Sequence, residues 1–205
     1  MIEVKGLSKS YGGDYLYKDF NIQFEEGKVT TLLGASGSGK TTLIRILLGI
    51  EKYEKGQILG LEHKNIAVVF QEDRLIKWLD VYNNIAFVLK SYMNEDEIKE
   101  RIQNALELVE LWEYKGYKIS ALSGGMQRRV ALARALVYAS DILILDEAFK
   151  GLDYELKMRV ITKIKKMLEE EKRTTILITH DMEEAHLLGD ILYTFRDKPV
   201  KNYKI

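Results

Sequence analysis

Apolar and polar residues alternate in the first part of the chain and give way to longer apolar runs further on. Ile2 and Val4, and then Phe20, Ile22 and Phe24, recur at every second position, the spacing of strands. Glu25-Glu26-Gly27-Lys28 is a turn between the second of these runs and the next. The N-terminal region is therefore expected to be antiparallel β structure, with Tyr11 and the pair Gly12-Gly13 in the loop between its first two strands. Val29 to Leu33, Ile66 to Phe70, Ile142 to Leu145 and Thr174 to Thr179 read as buried strands.

Helical spacing separates these runs. Leu43 to Leu48 reads as the start of a helix packed on the strand before it. Ile98, Ile102, Ala105, Val109 and Trp112 recur at intervals of three and four and predict one amphipathic helix. Asn94 is placed to cap it, and Glu95, Asp96 and Glu97 suit its positive first turn. Further helices are expected from about Gly125 to Ala139, over Tyr154 to Lys172 and over Met182 to Leu188, with Ile191 to Ile205 adding a final hairpin. Strands alternating with helices after residue 28 predict an α/β fold whose sheet is mostly parallel and flanked by helices. The segment from about 72 to 139 is expected to be a helical insert lobe within one domain, with 1–71 and 140–205 as the core.

Candidate chemistry collects where the apolar runs end, which is where ligands bind on parallel sheets. After Val29–Leu33 comes Gly34-Ala35-Ser36-Gly37-Ser38-Gly39-Lys40-Thr41-Thr42, the phosphate-loop pattern of a P-loop NTPase. Its glycines let successive amides face one concavity, and the helix beginning near Lys40 adds its positive end. Lys40 would reach the terminal phosphates of a nucleoside triphosphate, and Thr41 would ligate Mg2+. Asp146 and Glu147 close the run Ile142–Leu145; Asp146 would hold Mg2+ through water, and Glu147 would polarise the attacking water. His180 follows Thr179 at the same edge, where a donor to the γ-phosphate is useful, and Asp181 with Glu184 reads as a helix-capping pair. Ser123, Gly124 and Gly125 open the helix at Gly125 as an N-cap whose amides suit an anion. The Tyr11 ring could stack on the base.

Composition narrows the setting. Acidic and basic residues balance at 31 each, so bulk charge points to no nucleic-acid partner. The absence of cysteine excludes disulfides and thiol chemistry and agrees with a cytosolic location. No apolar run has the length of a membrane span and the first residues do not read as a signal peptide, so work at a membrane is expected of a peripheral subunit.

Taken together, Tyr11, GASGSGKTT, Gln71, LSGGMQRRVALARAL, ILILDE, the triplet GLD at 151–153 and His180 resemble the ATP-binding subunit of an ABC transporter over nearly the whole chain. The resemblance implies an ATPase working as a dimer at the cytoplasmic face of the membrane, with ATP and Mg2+ as ligands, a separate permease and a solute-binding protein as partners. It implies that Tyr11 stacks on adenine, that Gln71 senses Mg2+ and the attacking water, and that Ser123 and Gly125 close over ATP held by the second subunit. Gly151-Leu152-Asp153 would communicate between the two sites, and His180 would act as the switch histidine. VFQEDRLIKWLDVYNNIAFVL resembles importers of the nitrate, sulfonate and taurine group, with residues 72–79 facing the permease. Trp78 would be either an anchor in that interface or a core residue of the lobe. Met126, Ala148 and Lys77 depart from the commonest residues of the family, and nothing in the 205 residues resembles the C-terminal regulatory domain of some sugar and metal importers. The alternative, a soluble ABC-type ATPase acting on ribosomes or DNA, usually carries two ATPase units or long coiled-coil arms, which this chain lacks.

Overall fold

The computed structural model describes residues 1–91 and 93–204. Strands β1 (Ile2–Tyr11), β2 (Asp14–Phe24) and β4 (Lys55–Leu59) form a three-stranded antiparallel sheet in the order β2-β1-β4. A second sheet has the order β5 (Ile66–Val69), β6 (Ile142–Asp146), β7 (Thr174–Thr179), β3 (Val29–Leu33), β8 (Ile191–Arg196) and β9 (Lys201–Lys204). It is parallel throughout except for the closing β8–β9 pair. The expected terminal hairpin is thus present; its last expected residue, Ile205, lies outside the described residues.

The central strands read as unbroken apolar runs because both of their faces are covered. Ile142 and Ile144 of β6, with Ile176 and Ile178 of β7, pack with α1 (Lys40–Leu47) and the antiparallel sheet. Leu143, Leu145 and Leu177 enter the other core, shared with α3 (Glu95–Leu108), α4 (Gly124–Val137) and α5 (Tyr154–Glu171). Side chains alternate across a strand, so neighbouring residues of one run stabilise opposite layers. Helices α2 (Val81–Ala86) and α6 (Met182–Leu188) complete the set. Among the described residues, no helix is long and apolar enough to cross a membrane.

Three local expectations change. Tyr11 ends β1 and pairs with Asp14, rather than lying in a loop. Helix α3 stops at Leu108 instead of reaching Trp112, because Glu110 takes a left-handed backbone (φ 56°) and Trp112 opens a separate short turn. Asn94 does cap α3, with Glu97 closing a reciprocal box. Asp181 caps α6, but Glu184 does not return the bond; it is buried, accepts from the Thr179 hydroxyl at 2.7 Å and pairs with Lys157.

Glu110 also closes the lobe onto α5. Arg159 donates to both of its carboxylate oxygens at 3.1 Å and Lys163 to one at 3.0 Å, while Arg129 of α4 donates to the Val109 and Glu110 carbonyls. Hydrogen bonds from Arg159, with help from Lys163, hold its carboxyl down to about 2 against the usual 4.5. A folded-state value below the unfolded one contributes stability that is complete above 4.5 and is lost as pH falls towards 2. The side chain is 30% exposed, so solvent screening leaves roughly 1 kcal/mol of this. Glu110→Gln should lower the melting temperature at neutral pH by a few degrees. That gap should close as both proteins are melted at pH values approaching the carboxyl's own titration.

Candidate functional site

The loop after β3 turns under two close approaches. A Cβ on Gly34 would lie 2.8 Å from the Phe195 carbonyl. At Gly39 (φ 101°) one would lie 2.8 Å from the Tyr17 hydroxyl, so only glycine fits there. Tyr17 is fully buried beneath the loop and donates a 2.7 Å hydrogen bond to the Gly39 carbonyl, bracing the residue just before α1. Its ring lies 4.8 Å from that of Phe20, within the second core.

Lys40 is 6% exposed and bends back over the loop, donating to the carbonyls of Gly34 and Ala35 at 2.7 and 2.8 Å and to the Ser38 hydroxyl at 3.0 Å. Burial lowers its pKa, with Glu147 and Asp146 pulling the other way. Thr41 donates to Asp146 at 3.2 Å. Burial raises the Asp146 pKa, against the Thr41 bond and the Arg128 and Lys40 charges. Thr41, Asp146 and the Gln71 amide offer hard oxygen donors, which suit Mg2+. Among the described residues no group of three or more His, Cys, Asp or Glu could hold a metal ion. A divalent ion here would need hydroxyl, amide, water or ligand oxygens to complete its shell.

Glu147 has a left-handed backbone (φ 49°), an uncommon conformation for a residue with a side chain. Its N–H donates to the Ile178 carbonyl at 3.0 Å, anchoring it to the end of β7. One carboxylate oxygen meets the Lys150 ammonium at 3.2 Å and the Gln71 amide at 3.5 Å; the other faces His180 Nδ1 at 3.3 Å. Partial burial pushes its pKa up, but Lys150 and His180 outweigh that and the net direction is down.

A cavity of about 290 Å³ is walled by Tyr11, Ser36, Gly37, Thr42, Gln71 and Glu147, together with Lys40 and Thr41, while Asp146 and His180 lie outside its lining and reach it through Thr41 and Glu147. The Lys9 ammonium lies 4.6 Å from the centre of the half-exposed Tyr11 ring. A larger cleft of about 600 Å³ opens at the amino-terminal ends of β6 and β7, away from this chemistry. Ser123, Gly124 and Gly125 do not line the 290 Å³ cavity. Ser123 caps α4, accepting from the Met126 N–H at 3.3 Å, and a Cβ on Gly125 would sit 3.0 Å from the Gly151 carbonyl. The structure therefore joins the LSGG element to the GLD triplet rather than to the chain's own phosphate loop. Sequence reading missed Tyr17, Lys150 and Arg128. Tyr17 and Arg128 are buried, and only the doubled arginine at 128–129 hinted at a special position.

Known proteins resemble this chain over most of its length. The family described as ABC transporter matches residues 17–150. The spermidine/putrescine import ATP-binding protein PotA of Aggregatibacter actinomycetemcomitans is 37% identical over 96% of this chain and 55% of its own length. The chain thus spans a little over half the length of such curated relatives. A dimeric post-hydrolysis structure of the ATP-binding cassette MJ0796, bound to ADP and Pi, superposes with a TM-score of 0.87 at 28% identity, covering 100% of this chain and 98% of that one. The cbiO1 protein of Clostridium perfringens, part of the ABC transporter complex cbiONQ, gives 0.81 at 31% identity over 94% and 83% of the two chains. The PotA relatives are named for spermidine and putrescine import, not for the nitrate, sulfonate or taurine group that the loop sequence resembles. With the phosphate loop, Gln71 and Glu147 lining one cavity of this fold, and Asp146 and His180 bonded to members of that set, the chain belongs to the ABC transporter family, as an ATP-binding cassette.

Proposed function

We propose that this chain hydrolyses Mg-ATP as one half of a dimer and so drives solute uptake through a separate membrane permease. The observation that carries the reading is a single cavity lined by Lys40, Thr41, Gln71 and Glu147, with Asp146 bonded to Thr41 and His180 to Glu147 behind that lining. The triphosphate would lie along residues 34–39, where loop amides and the start of α1 favour an anion. Lys40, already stripped of most of its water, would exchange loop carbonyls for phosphate oxygens. Thr41, Gln71 and Asp146 would hold Mg2+, and the bound ion supplies charge neutralisation to the phosphate oxygens. Glu147, kept ionised by its neighbours, would accept the proton of the water that attacks the γ-phosphorus as the bond to ADP breaks. His180 would then turn from Glu147 to the γ-phosphate, and Tyr11 would stack on adenine.

The dimeric cassettes of MJ0796 support a dimer, in which Ser123, Gly124 and Gly125 of one subunit would cover ATP held by the other. In this division residues 1–71 and 140–205 form the catalytic core, and about 72–139 form the lobe that meets the permease. Trp78 is 83% exposed and Phe87 63%, so Trp78 is no core residue of the lobe and both are free to be covered by a partner. The permease would hold the subunit peripherally at the cytoplasmic face of the membrane, with a solute-binding protein delivering the cargo. The names of the relatives favour an importer; the cargo itself is selected by the permease, which this chain would touch in place of the solute.

Three outcomes test the reading. Glu147→Gln should lower ATP turnover by about 10²–10⁴ while leaving nucleotide binding intact; equal background rates for both proteins would remove the enzyme. At tens of micromolar, the same variant should run as a dimer on size exclusion with Mg-ATP and as a monomer without it, whereas a monomer in both would oppose the pairing. Tyr17→Phe keeps the ring but frees the Gly39 carbonyl, so the equilibrium Kd for Mg-ATP should rise by about threefold to tenfold.

A further inference from the structure

The carboxyl ends of β5 and β6 carry main-chain carbonyls of the residues that flank the chemistry. A single side chain collects them. Arg128, in the second turn of α4 and 4% exposed, donates through Nη1 to the carbonyls of Phe70 and Gln71 (the latter at 3.3 Å). Through Nη2 it donates to the carbonyls of Asp146 and Glu147, both at 2.7 Å, and through Nε to that of Ala148 at 3.1 Å. Nη1 also meets a carboxylate oxygen of Asp73 at 2.9 Å, so the buried charge has a counter-ion.

We propose that Arg128 is a positioning residue that sets the spacing between Gln71 and Glu147, and that couples the LSGG helix to the catalytic residues of its own subunit. The planar guanidinium presents its donors in a rigid fork, so fixing it on one strand end fixes its reach to the other. Gln71 and Glu147 are 3.5 Å apart only while both main chains keep those positions. Glu147 is the more dependent of the two, since its left-handed backbone persists only where the surroundings hold it. Arg128 lies on the same rigid helix as Gly125, and Ser123 caps that helix. Load placed on Ser123 and Gly125 by a second subunit therefore reaches Gln71 and Glu147 through one side chain. Lysine has the charge but not the fork, and its single nitrogen cannot span both strand ends.

The inference rests on Gln71 and Glu147 acting as proposed above, and the test separates the two. Wild type, Arg128→Lys, Asp73→Asn and Glu147→Gln are compared for melting temperature, Kd for ATP, kcat, and the Mg2+ concentration giving half-maximal rate. Arg128→Lys should bind ATP within about threefold of wild type, lose about tenfold or more in kcat, and need several times more Mg2+, because Gln71 is no longer held at the ion. Asp73→Asn, which alters only the exposed side of the cluster, should shift kcat and Mg2+ demand in the same direction by a smaller factor, and it decides the matter if Arg128→Lys does not fold. Wild-type kcat and Mg2+ dependence in the folded variants would overturn the inference. A loss of kcat that merely follows the folded fraction, with Mg2+ dependence unchanged, would overturn it too, leaving a structural arginine. If Glu147→Gln turned over ATP like wild type, the reading of Glu147 would fall whatever Arg128 did.

Discussion

Strands covered on both faces can carry polar chemistry only where they end. Through β6 and β7 every side chain is buried, and the ladder bonds satisfy the main chain between them. At the carboxyl edge this protection stops within one or two residues. There the chain places a loop of glycines, a glutamine, a carboxylate pair and a histidine, one set per strand. Because parallel strands all end on the same side, four segments that are remote in sequence arrive together without any loop having to reach far. The other end of the same strands has the larger cleft but none of these groups.

Within that edge, burial and charge act in opposite directions on neighbouring groups. Asp146 and Lys40 are pulled towards their neutral forms by loss of water, and each is partly restored by the other's charge. Glu147, one residue beyond Asp146, is less buried and lies against Lys150 and His180, which favour its anion. Two adjacent carboxylates are thus separated in character by a single step of the chain out of the core. Glu147 takes that step in a left-handed backbone conformation. General acid–base sites depend on such divergence between like groups.

The sequence was legible where one local pattern decided the outcome. Thr174–Thr179 and Met182–Leu188 match the observed elements end for end, since period, capping residue and breaker agree there. The phosphate loop and the Asp146-Glu147 pair were readable because their residue types are rare together and follow buried strands. Long-range chemistry was not readable. Nothing local says that Tyr17, sixteen residues before Leu33, lies beneath Gly39, or that Arg128 reaches two strand ends. The α3 pattern continued to Trp112 on spacing alone, while an arginine and a lysine from α5 hold Glu110 in a conformation that ends the helix earlier. The LSGG serine read equally well as an ordinary helix cap, which within one chain is what it is.

The exposed indole of Trp78 bears on how the chain behaves before it is assembled. Trp78 is 83% exposed and Phe87 63%, so on the free chain both aromatic rings stand in water. A copy made without a partner to cover Trp78 keeps its indole in water, so the cost of that exposure falls on the unassembled chain alone.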